Sequence, residues 1–340
     1  MKVARLHGVA DIRLRDEPVP SPDDALELVK VTAVGLCGSD LHWFSDGGIG
    51  DAQLDEPLVV GHEFAGVIEG GPRHGELVAV DPAIPCGRCD ICRTGWFNLC
   101  PTIVFAGHGG QDGGLREYLT WPGAMLHPLP ATMSAADGAM LEPLGVAIHA
   151  VDLGHVRIAA SVGVFGCGPI GLLLIQLARA AGATTVVGSD PLEHRREAAR
   201  RSGADLVVDP ADDDAMDRLQ RATSGVDTAF EVAGDNSAVH DAIVASRPGG
   251  RLVLVGIPGD DHTAFRASLA RRKGLTFAMV RRMNEVYPRA IRMVERGGID
   301  VTSLITHHFP LQRVDEAFKT AVARDGLKVV VHPDADRTPS

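Results

Sequence analysis

Positive charge is in short supply in this chain of 340 residues, which carries 33 Lys and Arg against 44 Asp and Glu, a formal net charge of −11. Binding along a phosphate backbone needs a basic face, and so does docking on an anionic membrane surface. The acidic balance therefore argues against nucleic acids and membrane surfaces as partners.

Long apolar runs are missing too. The run at residues 170–175 is interrupted by Gln176 and Arg179, well short of the about 20 apolar residues that a membrane-spanning helix requires. The first residues pass straight into polar sequence without the apolar stretch of a secretory signal. We therefore expect a soluble, cytoplasmic protein.

Internal repeats and low-complexity tracts are also absent, and the content of 45% hydrophobic and 23% charged residues is typical of globular proteins. The length predicts about two domains. Cysteine is infrequent, with six residues, but four of them crowd into residues 86–100. In a cytosolic chain such a cluster indicates metal binding rather than disulfide bonds.

The pattern of the chain changes near residue 160. Before it, residues 12–15 and 26–31 alternate apolar and polar side chains, and frequent prolines exclude long helices, which predicts an irregular β-rich domain. After it, apolar strands at residues 161–165, 184–187, 206–208, 228–232 and 252–255 alternate with helical segments. That alternation predicts βαβ units, and hence an α/β fold with a doubly wound parallel sheet of the Rossmann type.

A glycine-rich loop follows the first of these strands. Gly166, Gly168 and Gly171 have the G-x-G-x-x-G spacing, with Pro169 and Ile170 opening the next helix. In that setting the glycines allow a tight turn, close approach of a pyrophosphate, and helix–strand packing. The free N–H groups of the helix terminus would bind the phosphates. The loop therefore predicts a dinucleotide cofactor.

Asp190 closes the second strand, where a carboxylate can bind the ribose 2′-hydroxyl. The same carboxylate repels a 2′-phosphate, so we expect NAD rather than NADP. Arg195 and Arg196 follow closely, and an arginine near this position can accommodate the phosphate of NADP.

The cysteine cluster, in which Cys86, Cys89, Cys92 and Cys100 are spaced C-x2-C-x2-C-x7-C, offers four thiolates on a compact loop. Four thiolates suit a closed, tetrahedral structural zinc. A redox-active C-x-x-C pair and an iron–sulfur cluster are the alternatives.

Further candidate ligands are dispersed: Cys37 in G-L-C-G-S-D-L-H, His62 and Glu63 in G-H-E-F-A-G, and Glu142 in L-E-P-L-G. Taken singly, each has an ordinary structural explanation, such as a small core residue for Cys37 or a charge at a helix start for Glu142. Only their combination points to a site.

In combination these blocks resemble the zinc-dependent medium-chain dehydrogenase/reductase family, and within it the sorbitol (polyol) dehydrogenase branch. The C-G-S-D-x-H, G-H-E-x-x-G, four-cysteine and G-x-G-x-x-G blocks occur in the family's order over essentially the whole chain. The resemblance implies a β-rich GroES-like catalytic domain over residues 1–145, a Rossmann NAD-binding domain over 146–279, and a C-terminal segment, 280–340, that returns to the catalytic domain.

The resemblance also implies roles for individual residues. Cys37, His62 and Glu63 match ligands of a catalytic zinc, and Glu142 matches a glutamate that lies at the metal, as a fourth ligand or through its water. The remaining matches are Ser39 and His42 as a proton relay, Asp40 as the partner that orients His62, and Arg282 as an arginine lining the polyol pocket. Trp43 and Met283 depart from the tyrosines that many polyol enzymes carry.

The implied function is oxidation of a secondary hydroxyl of a polyol to a ketone, with hydride transfer to NAD and two zinc ions per chain, one catalytic and one structural. A threonine or 2,3-butanediol dehydrogenase of the same family is the nearest alternative. A non-catalytic NAD-sensing zinc protein would need only the glycine loop and the four cysteines. We expect a homo-oligomer, a tetramer or a dimer, and a small-molecule substrate.

Overall fold

The computed structural model describes residues 1–23 and 25–334. The chain divides into two compact units. Unit 1 comprises Met1–Pro143, Tyr287–Gly297 and Val301–Ser340, and unit 2 comprises Leu144–Val286 and Gly298–Asp300. Residues 280–286, which the sequence assigns to the returning segment, thus cluster with unit 2.

The strands are β1 (Lys2–Gly8), β2 (Asp11–Asp16), β3 (Leu26–Gly35), β4 (Gly48–Ile49), β5 (Ala52–Gln53), β6 (Glu63–Glu69), β7 (Leu77–Val80), β8 (Ala83–Ile84), β9 (Val104–Phe105), β10 (Tyr118–Pro122), β11 (Leu126–Pro128), β12 (Ser161–Phe165), β13 (Thr185–Ser189), β14 (Leu206–Val208), β15 (Val226–Glu231), β16 (Ser246–Leu254), β17 (Thr276–Met279), β18 (Ile305–Pro310) and β19 (Lys328–His332). The helices are α1 (Gly38–Asp46), α2 (Asp90–Arg93), α3 (Ala135–Ala139), α4 (Leu141–Gly154), α5 (Pro169–Ala180), α6 (Glu193–Arg201), α7 (Ala215–Thr223), α8 (Asn236–Ala245), α9 (Ala267–Lys273), α10 (Tyr287–Glu295) and α11 (Val314–Val322).

Unit 1 is built on a mixed sheet with the strand order β11-β7-β6-β3-β19-β18, in which β10 also pairs with β3. The pairs are antiparallel apart from β18 with β19. Along β3 the alternation expected from the sequence is present, because Val29, Val31 and Ala33 are buried while Lys30 and Thr32 are partly exposed. The strand β19, from the far end of the chain, pairs directly with β3.

Unit 2 contains a parallel sheet with the order β14-β13-β12-β15-β16-β17. This order reverses direction between β12 and β15, which defines the doubly wound arrangement and its cofactor-binding crevice. Helix α5 buries nearly its whole circumference, as its continuous apolar sequence predicts, whereas α6 buries only Ala198 and Ala199. The predicted parallel α/β architecture is confirmed.

The described residues include no helix with the length and hydrophobicity needed to span a bilayer.

Candidate active site

Two neighbouring strands of unit 1 bring the dispersed ligand candidates together. β3 ends shortly before Cys37, and β6 begins at Glu63, directly after His62. Because the two strands are antiparallel and Gly35 lies opposite Glu63, the end of one meets the start of the other. One donor atom from each of Cys37, His62 and Glu63 lies within 4.8 Å of the others.

Asp40, on the first turn of α1, holds this cluster in place. Its carboxylate accepts the backbone N–H groups of Cys37 at 2.9 Å and Gly61 at 3.1 Å, and one of its oxygens lies 3.3 Å from Nδ1 of His62. Burial would raise the pKa of Asp40, but the charge of His62 and these hydrogen bonds hold it below its ordinary value. A carboxylate on one ring nitrogen leaves the other, Nε2, as the ligand atom, as in many zinc sites.

Lys328, the first residue of β19, places a buried positive charge beside the cluster. Its ammonium lies 2.5 Å from Glu63, and it also donates to the backbone carbonyl of Leu36 at 3.0 Å. The side chains of Lys328 and Glu63 are only 4% and 1% exposed. Although burial lowers the pKa of Lys328, the anionic groups of Glu63 and Cys37 raise it overall, so the lysine is charged.

Glu142, the fourth predicted ligand, is buried near the start of α4 but lies outside the 4.8 Å cluster. Burial raises the pKa of its carboxyl group to about 7, an effect that the neighbouring Glu63 reinforces and that His62 and Lys328 oppose. This carboxyl group can therefore exchange a proton near neutral pH.

The donor set of the cluster suits zinc, since a thiolate, an imidazole and a carboxylate are the ligands that Zn²⁺ takes in proteins. The charges agree with this: burial lowers the pKa of His62, but Asp40 and Cys37 raise it well above the ordinary value. A position at which the surroundings favour positive charge so strongly is one that a cation can occupy.

The two relay candidates lie on the same helix as Asp40. Ser39 Oγ is 3.5 Å from Nε2 of His62, and His42 follows one turn later on α1. Nδ1 of His42 is 2.8 Å from Oδ2 of Asp46, a pair with four-residue spacing. Sequence reasoning missed Asp46, which orients the His42 ring so that Nε2 remains available.

Trp43, which departs from the family's tyrosine, is buried and packs edge-on against His108, with ring centroids 5.5 Å apart. His108 belongs to a glycine-rich loop and was not singled out by sequence reasoning. Met283, the second departure, is buried in unit 2, where its sulfur occupies the space beside Gly145. Arg282 also lies in unit 2, with its backbone in the left-handed region at φ 54°.

The four cysteines of residues 86–100 form a second cluster, whose sulfur atoms all lie within 4.8 Å of one another. Three of the sulfurs accept backbone N–H groups at 3.4 Å: Cys86 from Cys89, Cys89 from Cys92, and Cys100 from Cys86. Gly87 and Gly95 provide the turns, at φ 68° and 86°.

These N–H groups favour thiolates at Cys86 and Cys100, whereas burial raises the pKa of Cys92 to about 12. The backbone N–H groups of Arg88 and Cys89 lower the pKa of Cys86 to about 6, and the pKa of Cys100 is lowered chiefly by the N–H of Cys86. Four sulfur donors with no position left open fit a structural zinc rather than a catalytic one.

The glycine loop of unit 2 has the expected local geometry. Gly166 has φ 106°, and a side chain there would meet the backbone of Ala233 at 2.9 Å. A side chain at Gly171 would overlap the carbonyl oxygen of Gly166. Beside Gly168, by contrast, a Cβ would make only ordinary van der Waals contact, with Nη1 of Arg195 at 3.6 Å, so the guanidinium of Arg195 lies beside the start of α5, where a phosphate would bind.

Asp190 is buried at the end of β13 and is bound to this loop. Its Oδ2 accepts the N–H of Cys167 at 2.8 Å, and its Oδ1 accepts the N–H of Leu192 at 2.9 Å. Nη1 of Arg195 lies 4.0 Å from Oδ2. Since a carboxylate oxygen has two lone pairs, each oxygen can accept a second hydrogen bond, from a ribose hydroxyl.

Comparisons with known proteins agree with this geometry. Residues 169–296 match the family described as zinc-binding dehydrogenase, and residues 23–131 match the alcohol dehydrogenase GroES-like domain. The chain is 32% identical to a sorbitol dehydrogenase of Bacillus subtilis (strain 168), covering 98% of each sequence. It is 36% identical to a probable D-xylulose reductase A of Arthroderma otae, covering 96% of this chain and 95% of the relative.

Solved structures of similar proteins share the fold over nearly the full length. L-Idonate 5-dehydrogenase from Escherichia coli superimposes with a TM-score of 0.91 at 28% identity, covering 97% of each chain. 2R,3R-Butanediol dehydrogenase from Bacillus subtilis gives 0.88 at 30% identity, covering 98% of this chain and 99% of that one. A Sinorhizobium meliloti 1021 protein described as a zinc-binding dehydrogenase, bound to NADP, gives 0.88 at 31% identity, with coverage of 98% and 99%.

The chain belongs to the zinc-dependent medium-chain dehydrogenase/reductase family, on its sorbitol dehydrogenase-like side. It is an oxidoreductase whose cofactors are zinc and a nicotinamide dinucleotide, and it consists of a GroES-like domain and a Rossmann domain. The predicted family, fold class, enzyme class and cofactors are thereby confirmed.

Proposed function

We propose that this enzyme oxidises a secondary hydroxyl of a polyol to a ketone and transfers the hydride to NAD. The observation that carries the proposal is the buried cluster of Cys37, His62 and Glu63, with a sulfur, a nitrogen and an oxygen donor within 4.8 Å. A zinc protein that only sensed NAD would have no use for this second donor set. The sorbitol dehydrogenase and D-xylulose reductase relatives support the substrate class.

Cys37, His62 and Glu63 would hold the catalytic zinc, and Glu142 would act as a fourth ligand or through the water of the zinc. Bound zinc supplies Lewis acidity, which lowers the pKa of a hydroxyl group in contact with it. Cys86, Cys89, Cys92 and Cys100 would hold the structural zinc. Lys328 keeps the carboxylate of Glu63 paired, and Asp40 keeps the His62 ring aligned.

Ser39 and His42 would carry the hydroxyl proton away from the buried site. They are three residues apart on α1, so both side chains lie on one face of the helix. Ser39 lies at the buried end, next to His62, while His42 is partly exposed and bonded to the exposed Asp46. The path therefore leads from the cluster toward solvent through hydroxyl, imidazole and carboxylate groups.

The immediate surroundings favour a substrate with several hydroxyl groups. Ser39 and Glu142 add polar groups beside the cluster, which suit a substrate with several hydroxyl groups better than an aliphatic alcohol. The place of Arg282 in the polyol pocket stays a prediction from the family resemblance. A vicinal diol is the second candidate substrate, because a butanediol dehydrogenase is among the similar structures. Threonine is a third candidate substrate, which rests on the sequence alone.

NAD is the proposed dinucleotide, because Asp190 presents a buried carboxylate beside the glycine loop. We also infer a cytoplasmic homo-oligomer. None of the six cysteines is in a disulfide bond, which suits a reducing compartment. The edge strand β17 and the exposed apolar side chains of unit 2 support self-association.

The test measures NADH formation from NAD with sorbitol, xylitol, 2,3-butanediol and threonine, for the natural enzyme and for Cys37→Ala. We expect the highest kcat/KM with a polyol. Cys37→Ala should lose turnover by on the order of a thousandfold or more, a typical loss for a group that acts only in the transition state, while NADH binding is retained. Near-normal turnover of Cys37→Ala would overturn the proposed site, and a preference for threonine or butanediol would overturn the substrate class.

A further inference from the structure

Arg196 lies on the first turn of α6, and its guanidinium group folds back onto the turn that carries Asp190. Nη1 of Arg196 faces three acceptors: the backbone carbonyls of Asp190 and Pro191, each at 2.8 Å, and Oδ2 of Asp209 at 2.7 Å. The same arginine thus bonds the turn after β13 and the residue that follows β14.

The other nitrogen atoms of this guanidinium are also occupied. Nε of Arg196 donates to Oε2 of Glu193 at 2.9 Å, and Nη2 donates to the same oxygen at 2.5 Å. The Arg196 side chain is only 12% exposed. Because the N–H groups of this guanidinium already donate to one turn and two carboxylates, few donors remain for another anion.

The opposite side of this turn faces the dinucleotide loop. There the carboxylate of Asp190 accepts N–H groups from Cys167 and Leu192. Arg196 donates hydrogen bonds to two backbone carbonyls of the turn, while the side chain of Asp190, on the same turn, binds the glycine loop. If Arg196 were removed, two carbonyl oxygens and the Asp209 carboxylate would converge without a donor between them. Their mutual repulsion would open the turn and shift Asp190.

We propose that Arg196 is a positioning residue for the dinucleotide, acting through the Asp190 turn, and that it is not a ligand for a 2′-phosphate. The proposal rests on the proposed role of Gly166–Gly171 and Asp190 in cofactor binding. The sequence does not distinguish the two arginines, but their contacts do: Arg196 binds the turn, whereas the guanidinium of Arg195 lies beside Gly168.

The two roles of Arg196 differ in what they predict for NADH and NADPH. A positioning residue fixes the part of the site that both dinucleotides share, so its loss weakens both by the same factor. A phosphate ligand touches only NADPH, so its loss weakens NADPH alone. Arg200 provides a matched control, because it lies one turn further along α6 and bonds the same Glu193, at 3.1 Å, but does not reach the turn.

The experiment titrates the zinc-loaded enzyme with NADH and with NADPH by fluorescence, for the natural protein, Arg196→Leu and Arg200→Leu. We expect Arg196→Leu to raise both Kd values by a common factor of about ten or more, and kcat at saturating NAD to stay within about twofold. Arg200→Leu should leave both Kd values unchanged. If Arg196→Leu does not fold, Arg196→Lys replaces it, since an ammonium cannot bridge the same acceptors.

Three results would overturn the proposal: unchanged Kd values in the Arg196 variant, a rise confined to NADPH, or an equal rise in Arg200→Leu. Failure of the proposed function itself looks different. It appears in turnover with the panel of substrates, whereas these Kd values are measured without a polyol.

Discussion

Asp190 illustrates how one carboxylate can serve both the structure of a loop and the choice of cofactor. Its two oxygens fix the N–H groups of Cys167 and Leu192, which ties the end of β13 to the dinucleotide loop. In this buried position its negative charge would face the 2′-phosphate of NADP directly. A phosphate monoester carries about −1.5 to −2 charges at neutral pH, so the two groups would repel.

We expect the natural enzyme to prefer NAD over NADP by on the order of a hundredfold or more in kcat/KM, and Asp190→Ser to narrow or invert that preference. The serine removes the repulsion, and Arg195 can then approach the phosphate. Steady-state kinetics with both cofactors tests this, with the exposed Asp217→Ser as control. A natural enzyme that already prefers NADP would show that Arg195 outweighs the carboxylate.

Lys328 and Glu63 form a buried ion pair, for which loss of one partner should be costly. Lys328→Met leaves the Glu63 carboxylate in a buried site without its cation, which typically costs about 3–5 kcal/mol. The free energy of unfolding in urea measures the effect. Lys319→Met is the matched control, since Lys319 pairs with Asp315 on the surface and should contribute less than about 1 kcal/mol.

The double variant Lys328→Met/Glu63→Gln replaces both charges and should recover much of the lost stability, because no unpaired charge remains. Equal destabilisation by the Lys328 and Lys319 substitutions would contradict this account.

Sequence reasoning found one member of this pair and missed the other. Glu63 stands beside His62 in a recognisable block, whereas Lys328 starts an apolar strand and carries no local sign of a partner. The two meet only because β19 pairs with β3 and β3 pairs with β6. Asp46 was missed for a different reason. An acidic residue four positions from a histidine is common on helix surfaces, and it indicates a functional pair only when the histidine already has a role, as His42 does.

The four-cysteine segment is a short element with almost no regular structure, in which α2 has only four residues. A four-residue helix is not stable by helix propensity alone, so the cluster of four sulfur atoms is the feature that determines the backbone conformation of this segment. Its zinc should therefore contribute to folding rather than to the reaction.

Cys100→Ser should lower the melting temperature and reduce the zinc content from two ions per chain to one, while the folded fraction keeps its KM for the polyol. Cys37→Ala provides the contrast, since it should also lose one zinc but keep the melting temperature and lose turnover. Calorimetry and metal analysis distinguish the two. A Cys100→Ser protein with normal melting and lost activity would refute a structural role for this zinc.

Most regular elements of unit 2 agree with the sequence pattern, and their periodicity explains why. The strand predicted at 161–165 matches β12, and the helix predicted from Ile170 matches α5 within one residue. β16 differs from the strand predicted by the sequence, because it begins at Ser246 although the apolar run starts at residue 252. Pro248, Gly249 and Gly250 suggest a turn in the sequence, but they lie in an irregular stretch of strand where the register with β15 shifts.

The proposed self-association requires a surface that the described residues leave uncovered. β17 is the last strand of the parallel sheet in unit 2 and pairs on one side with β16. Met279 at its end is 72% exposed, and Ile257 and Phe265 are also exposed. An open strand edge and exposed apolar side chains both favour association with a second copy of the chain. The second copy would cover the edge and the apolar side chains.

Met279→Lys should therefore shift the protein toward monomers, because a charged side chain at a strand edge opposes pairing. Light scattering after size-exclusion chromatography measures the mass. Ile158→Lys is the matched control, as Ile158 is 87% exposed in the same unit but lies outside β17. An unchanged mass for Met279→Lys, or an equal loss of mass for Ile158→Lys, would exclude β17 as the interface.

The position of β19 between β3 and β18 in the mixed sheet has a consequence for the order in which the protein can fold during synthesis. Every strand of the parallel sheet has been synthesised by Met279, whereas the mixed sheet lacks β19 until His332 has been synthesised. During translation the parallel sheet of unit 2 can therefore form first, while β3 cannot yet pair with β19. Until then Glu63 has no Lys328, so a chain that terminates early carries an incomplete pocket for the catalytic metal.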